Sequence, residues 1–200
     1  MTEQQRANSE SSPSAAAPAR IWELLALAFS VIALLGSLYL SVGMKLKACP
    51  LCLYERTFMM ALVGVLLVGL ARSRDASAGF PVLLCLPMAV GGLVVAAFHV
   101  YLEMTAVLEC PAGLLGLGSA PQQSLGAYVV VTALMGTALA RSSLGAGCQI
   151  TGLGAAVLGI LFSVAAIKSA PPLPPAPTEP YTTPLEGCRP SVQPNASTDQ

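Results

Sequence analysis

The residues of this sequence best suited to redox chemistry are its six cysteines, two of which lie in the motif Cys49-Pro50-Leu51-Cys52. Two cysteines separated by two residues can close a small disulfide ring, and the N-terminus of a helix lowers the pKa of a thiol that lies on it. The motif therefore predicts a redox-active pair, provided that a helix begins at this point.

The apolar stretch after the motif predicts such a helix. It has only 14 uninterrupted apolar residues, 58–71, whereas a helix that crosses the hydrocarbon core needs about 20. Counting back from Ala71 starts the helix near Cys52, and Pro50 suits the first helical position because its missing N–H costs nothing there. Cys49 is then expected at or just before the cap, and Cys52 in the first turn.

Arg56 follows the motif by one helical turn. Positions 49, 52 and 56 have i, i+3, i+7 spacing, which places Arg56 beneath the two sulfurs on one helix face. A cation there would stabilise a thiolate, and a charge inside the membrane interface usually holds a polar headgroup or a ligand oxygen. The alternative is that Glu55 and Arg56 only mark the membrane boundary, with the Arg56 side chain extending to the interface.

A structural zinc site is the alternative interpretation of the motif. Cys-x-x-Cys is often half of such a site, and Cys110 and Cys188 could supply the other two ligands. The second half is normally another closely spaced pair, and these two cysteines are 78 residues apart. The spacing therefore favours redox chemistry, and we expect no bound metal.

The composition predicts that membrane helices position these residues. Of the 200 residues, 54% are hydrophobic and 10% are charged, which is too apolar for a soluble domain of this size. Ten Lys plus Arg balance ten Asp plus Glu, so the basic excess that nucleic-acid binding requires is missing. Five stretches approach the length that spans a bilayer. They are residues 24–44, 52–71, 80–104, 124–140 and 150–167.

Two polar tails flank this transmembrane bundle of residues 21–168. Residues 1–20 are rich in Ser, Ala and Pro, and we expect a disordered N-terminal tail. Residues 169–200 are rich in Pro, which favours an extended, semi-rigid segment outside the bilayer. This C-terminal tail carries Cys188.

Five spans place the connecting segments on alternating sides of the membrane. One face then carries four cysteines, namely Cys49, Cys52, Cys110 and Cys188. Cys85 and Cys148 fall towards the opposite face, where we expect them to pack as small apolar residues. Lys and Arg divide evenly between the faces, so the positive-inside rule does not orient the chain. Since disulfides persist in oxidising compartments, the four cysteines are expected outside the cytoplasm.

The motif and its flanks resemble the DsbB family of membrane disulfide-generating proteins. The resemblance lies in Cys49-Pro50-Leu51-Cys52-Leu53-Tyr54-Glu55-Arg56, which matches the family pattern Cys-x-x-Cys-x-Tyr-Glu/Gln-Arg between the first two helices. It covers about residues 21–140, four helices with two outward loops. The vitamin K epoxide reductase group fits less well, because its Cys-x-x-Cys usually comes late in the bundle.

This resemblance implies an all-α membrane protein, a four-helix transmembrane bundle of DsbB type to which the fifth span adds a helix. It implies an oxidoreductase of the bacterial inner membrane whose Cys49–Cys52 disulfide is regenerated by a membrane quinone, ubiquinone or menaquinone, with Arg56 near the quinone ring. His99 lies where the family has a polar residue close to the quinone, so it is a predicted quinone contact. An interhelical hydrogen bond is the alternative role for this histidine.

The second cysteine pair departs from the family pattern. In the family, a second pair in the second outward loop passes oxidising equivalents to a soluble thioredoxin-fold oxidase such as DsbA, at the periplasmic side. Here residues 105–123 hold only Cys110. Our hypothesis is that Cys110 pairs with Cys188 from the tail, whose 18 residues from Ala170 can extend over roughly 50 Å.

Two further functions use the same cysteines without a quinone. Thiolates suit Zn or Cu(I) ions, so a set of four cysteines could serve a soft-metal binding or transport protein. An assembly factor with an incidental disulfide is the other alternative, and it predicts that Cys49→Ser leaves activity unchanged.

Overall fold

The computed structural model describes residues 16–72, 79–142 and 146–192, and most of these residues are helical. Five helices are long and apolar enough to cross a membrane, as predicted. They are α1 (Ala16–Val42), α2 (Pro50–Arg72), α3 (Phe80–Met104), α4 (Ala120–Arg141) and α5 (Ala146–Ser169), with a short 3₁₀ helix at Leu114–Gly116. The protein is an all-α membrane protein with a fifth helix added to a four-helix bundle.

Helix α3 is the centre of the molecule. It packs against α2, α4 and α5, while α1 packs against α2 and α4. Helices α1 to α4 therefore form a closed bundle, and α5 lies outside it against α3. The apolar core between the four helices includes Leu62, Leu66, Val131 and Met135, all fully buried.

The start of α2 follows the prediction. The helix begins at Pro50, and the backbone N–H of Leu53 donates to the carbonyl oxygen of Cys49 at 3.0 Å. Cys49 is therefore the last residue before the helix, and Cys52 lies in its first turn. Burial then recurs at helical spacing through Leu51, Glu55 and Met59, so the carboxyl group of Glu55 lies on the face that α2 turns to the bundle.

Small residues of α5 lie at its contact with α3. A Cβ at Gly159 would overlap the backbone carbonyl of Pro87, so the two helices touch through their backbones there. One turn later, the Ser163 hydroxyl lies 2.9 Å from the carbonyl oxygen of Gly91. The small residues Gly159 and Ser163 therefore allow α5 to lie close against α3.

The C-terminal tail returns to the loop that follows α3. Strand β1 (Leu108–Glu109) pairs antiparallel with β2 (Arg189–Pro190), and the Ser191 N–H extends the pairing by donating to Val107 at 3.1 Å. The predicted N-terminal tail of residues 1–20 needs a correction, because residues 16–20 already belong to α1. Residues 1–15 lie outside the described part of the chain.

A second contact holds the tail beside the Cys-x-x-Cys motif. The backbone N–H of Lys47 donates to the carbonyl oxygen of Glu186 at 2.6 Å, and the Lys47 ammonium pairs with the Glu186 carboxylate at 2.8 Å. The hydrogen bond between the two side chains raises the pKa of Lys47 and lowers the pKa of Glu186. The tail thus contacts the segments before α2 and after α3 together.

Candidate active site

Cys49 and Cys52 lie close together at the start of α2. Their sulfurs are 2.8 Å apart, and the backbone N–H of Cys52 donates to the Cys49 sulfur at 3.2 Å. We call them the helix pair. The hydrogen bond from the Cys52 thiol lowers the pKa of the Cys49 thiol. In the reduced pair, the first thiolate therefore forms on Cys49.

Cys110 and Cys188 form a disulfide in the structure, as hypothesised from the sequence. The strand pairing explains why they meet. Leu108 lies opposite Pro190 and Glu109 opposite Arg189, so the next position in this antiparallel register sets Cys110 opposite Cys188. We call them the tail pair, since one of the two sulfurs is brought in by the C-terminal tail.

The helix pair and the tail pair of cysteines meet at His99 of α3. The Nε2 atom of His99 lies 3.7 Å from the Cys49 sulfur, 3.6 Å from the Cys110 sulfur and 3.4 Å from the Cys188 sulfur. The imidazole itself is fully buried. One ring nitrogen therefore contacts sulfurs of both pairs.

Glu55 holds the other side of the same ring. Its carboxyl oxygen lies 2.9 Å from His99 Nδ1, and both side chains are buried. Because a carboxylate only accepts hydrogen bonds, it fixes the proton on Nδ1 and leaves Nε2 of the neutral ring free to accept a proton from a thiol. The sequence interpretation of Glu55 as a boundary residue missed this contact.

Tyr128 of α4 contacts both helices that carry the Glu55–His99 pair. Its hydroxyl donates to the carbonyl oxygen of Glu55 at 2.5 Å, and its ring lies where a Cβ at Gly92 would be. Helix α4 therefore reaches α2 across α3 only because residue 92 is glycine. The contact ties the backbone that carries Glu55 to the bundle.

The guanidinium group of Arg56 is directed towards α1. It donates to the Ser37 hydroxyl at 3.2 Å, to the Ser37 carbonyl oxygen at 3.0 Å and to the Ser41 hydroxyl at 2.7 Å. The helical spacing placed Arg56 on the face of the sulfurs. In the structure its hydrogen bonds instead run sideways to the neighbouring helix, one turn below Cys52.

Arg56 and Cys52 line the same cavity, which has a volume of about 290 Å³. Most of its wall is apolar. Helix α1 contributes Phe29, Ile32 and Leu34, and α2 contributes Met59. Polar atoms come from the Arg56 neighbourhood and from Gln123. His99, which the resemblance predicts to be a quinone contact, is not among the residues of this wall, and its Nε2 atom lies against the sulfurs.

The remaining cysteines do not join this site among the described residues. Cys85 is buried in the core, with its sulfur 3.9 Å from the carbonyl oxygen of Leu62, which fits a packing role. The side chain of Cys148 lies outside the described part of the chain. The site therefore consists of two cysteine pairs, a buried carboxyl–imidazole pair and a cavity that borders Cys52 and Cys188.

Comparison with known families gives one match. Residues 19–170 match the family model described as disulfide bond formation protein DsbB. The chain therefore belongs to the DsbB family, and it is an oxidoreductase of disulfide bond formation in a membrane. Cys188 lies beyond the matched residues. No curated protein and no solved structure matches the chain.

Proposed function

We propose that this protein is a thiol:quinone oxidoreductase that reoxidises a soluble thioredoxin-fold disulfide donor of DsbA type. Electrons pass from the partner to the tail pair, then to the helix pair, and finally to ubiquinone or menaquinone in the membrane. The observation that carries the proposal is the position of His99 Nε2, 3.4–3.7 Å from sulfurs of both pairs. Because sulfurs of both pairs contact the same nitrogen atom, the two pairs lie close together, as thiol–disulfide exchange between them requires.

Electrons enter at the tail pair. A thiolate of the reduced partner attacks the Cys110–Cys188 disulfide and forms a mixed disulfide, which the second partner thiol resolves. The partner leaves oxidised, and Cys110 and Cys188 hold the two electrons as thiols. Both residues are half-buried and not fully enclosed, as attack by a soluble partner requires.

Transfer to the helix pair is a second disulfide exchange. A tail-pair thiolate attacks the Cys49–Cys52 disulfide, the tail disulfide closes again, and the helix pair becomes a dithiol. The attacking thiol must lose a proton, and His99 Nε2 is a base that lies 3.6 Å from the Cys110 sulfur and 3.4 Å from the Cys188 sulfur. Glu55 supports this step because a buried carboxylate stabilises the imidazolium that forms.

The cavity beside Cys52 fits a quinone ring. Its volume is near the lower end of the ~300–1,000 Å³ typical of ligand pockets, its wall is mainly apolar, and Arg56 offers a cation to a ring oxygen. A quinone held there supplies a sink for two electrons. Within the helix pair, Cys52 lines the cavity and Cys49 does not, so the electrons would leave through the Cys52 sulfur. The Cys49 thiolate would close the disulfide onto Cys52, and the two protons released by the thiols would balance those that the quinone oxygens take up.

The same proposal includes a location. The protein lies in the inner membrane of a bacterium, with both cysteine pairs and the tail on the periplasmic side. Support comes from the disulfide between Cys110 and Cys188, because such bonds persist where the compartment is oxidising. Labelling with a membrane-impermeant thiol reagent after mild reduction tests this sidedness.

The experiment for the function uses the purified chain in detergent with a reduced thioredoxin-fold dithiol protein and a soluble quinone analogue. Quinone reduction is followed by absorbance. We expect Cys49→Ser and Cys52→Ser to abolish the reduction, and Cys85→Ser to leave it intact as a matched cysteine control. Retained reduction in both helix-pair variants would falsify the proposed function.

A further inference from the structure

Four donor atoms at the site have the chemistry of a zinc centre. The sulfurs of Cys49, Cys52 and Cys188 and the imidazole of His99 lie within 4.8 Å of one another. Zinc bonds sulfur at ~2.3 Å and nitrogen at ~2.0–2.1 Å, so a tetrahedral ion separates its ligand atoms by roughly 3.6–3.8 Å. His99 Nε2 lies 3.7 Å from the Cys49 sulfur and 3.4 Å from the Cys188 sulfur. The Cys49 and Cys52 sulfurs are 2.8 Å apart, so these two side chains must move apart by about 1 Å to share a tetrahedral ion.

The imidazole is also held as zinc-binding imidazoles usually are. A ligating histidine commonly donates its second ring N–H to a carboxylate, which fixes the ring and makes the metal-facing nitrogen more basic. Here Glu55 lies 2.9 Å from Nδ1, and Nε2 faces the sulfurs. The orientation that suits proton transfer in exchange therefore suits a metal equally well.

We propose that the fully reduced protein binds one Zn²⁺ ion through the thiolates of Cys49, Cys52 and Cys188 and through His99 Nε2. Binding displaces three protons from the three thiols and transfers no electron. Oxidation of the helix pair removes two ligands, and the Cys110–Cys188 disulfide removes the third. The site therefore exists only when both pairs are reduced.

The choice of zinc rests on the chemistry of the four ligand atoms. Three thiolates and one imidazole are soft or borderline ligands that favour Zn²⁺ over hard cations such as Mg²⁺ or Ca²⁺. The ion would also offset the negative charge of three thiolates in a half-buried site. If the proposed function holds, zinc occupancy and turnover exclude each other, because coordinated thiolates are not free to attack a disulfide.

The tail pair supplies a matched set of variants. Cys110→Ser and Cys188→Ser break the same disulfide, but only Cys188 belongs to the ligand set. The full chain, reduced anaerobically with a phosphine in detergent, is titrated with Zn²⁺ against a chromogenic chelator. Co²⁺ is used in parallel, because thiolate-to-cobalt absorption reports the number of bound sulfurs.

The reduced wild-type chain is expected to bind one ion, and the oxidised chain none. Cys188→Ser is expected to weaken binding roughly 100-fold or more, since loss of an outer partner alone costs ~10–100-fold. Cys110→Ser keeps the wild-type affinity and cobalt spectrum. Equal loss in Cys110→Ser and Cys188→Ser, or no binding by the reduced wild type, overturns the proposal. Far-ultraviolet circular dichroism of each variant excludes unfolding as the cause.

Discussion

Glu55 and His99 form a buried pair, with Glu55 Oε1 2.9 Å from His99 Nδ1, at a point where α2 and α3 meet beneath four sulfurs. The pair connects the two halves of the site, because the opposite nitrogen of the same ring contacts Cys49 and both cysteines of the tail pair. In an apolar bundle, a charged group needs such a partner. The proposed function and the burial of these side chains therefore both require that Glu55 and His99 pair.

Replacing His99 by Gln is expected to slow electron transfer between the pairs. Loss of a positioned acid or base typically costs ~10²–10⁴-fold, so we expect at least a ~100-fold slower second exchange and a flattened pH profile. Rapid-quench trapping of thiols, with separate quantification of each pair, measures this step. Glu109→Gln, which alters an exposed carboxylate of the same loop region, is the control and should exchange at the wild-type rate.

Arg56→Lys tests the cavity wall separately from the sulfur chemistry. Lysine keeps the charge but loses the planar fork that contacts Ser37 and Ser41 together. We expect the KM for a quinone analogue to rise ~10-fold, a loss of about 1.4 kcal/mol, while the partner still reduces the tail pair at the wild-type rate. A slower first exchange with unchanged KM would place Arg56 outside quinone binding.

Much of this architecture could be predicted from the sequence, since it depends on local properties. Apolar length identified the five spans, and the short apolar run together with Pro50 located the start of α2 at the motif. The alternation of sides also brought Cys110 and Cys188 into one compartment. Their bond could only be a hypothesis, because two strands of two residues each carry no pattern that reveals their register.

The contacts of Glu55 and Arg56 could not be predicted from residue spacing. These residues are neighbours on α2, and the way the helix is rotated within the bundle decides that one meets α3 and the other meets α1. A membrane-embedded carboxyl group is a signal that could have pointed to Glu55. Its partner, however, lies 44 residues away, and the helix packing that joins them involves Gly92 on the helix of His99 and Tyr128 from α4.

Gly187→Val tests whether the tail position matters for the tail pair. A Cβ at residue 187 would lie 2.5 Å from the backbone carbonyl oxygen of Lys47, so the tail must shift away from the segment before α2. We expect less Cys110–Cys188 disulfide by mass spectrometry and slower oxidation of the partner protein. Lys47→Ala is the control, because it removes only an exposed ion pair of the kind that contributes little. Equal effects of the two variants would contradict this account.

The pKa of Cys49 leads to a prediction about pH. The hydrogen bond from the Cys52 thiol lowers the pKa of Cys49, so the reactive thiolate of the reduced protein is present above that lowered pKa and is lost as the pH falls through it. Cys52→Ala removes the donor and is expected to move the midpoint of iodoacetamide alkylation at Cys49 to higher pH. Cys52→Ser keeps a hydroxyl donor at the same place and should shift the midpoint less. Because both variants remove the second thiol, a difference between them isolates the hydrogen bond, and identical midpoints in the wild type and Cys52→Ala would show that Cys49 is activated by another group.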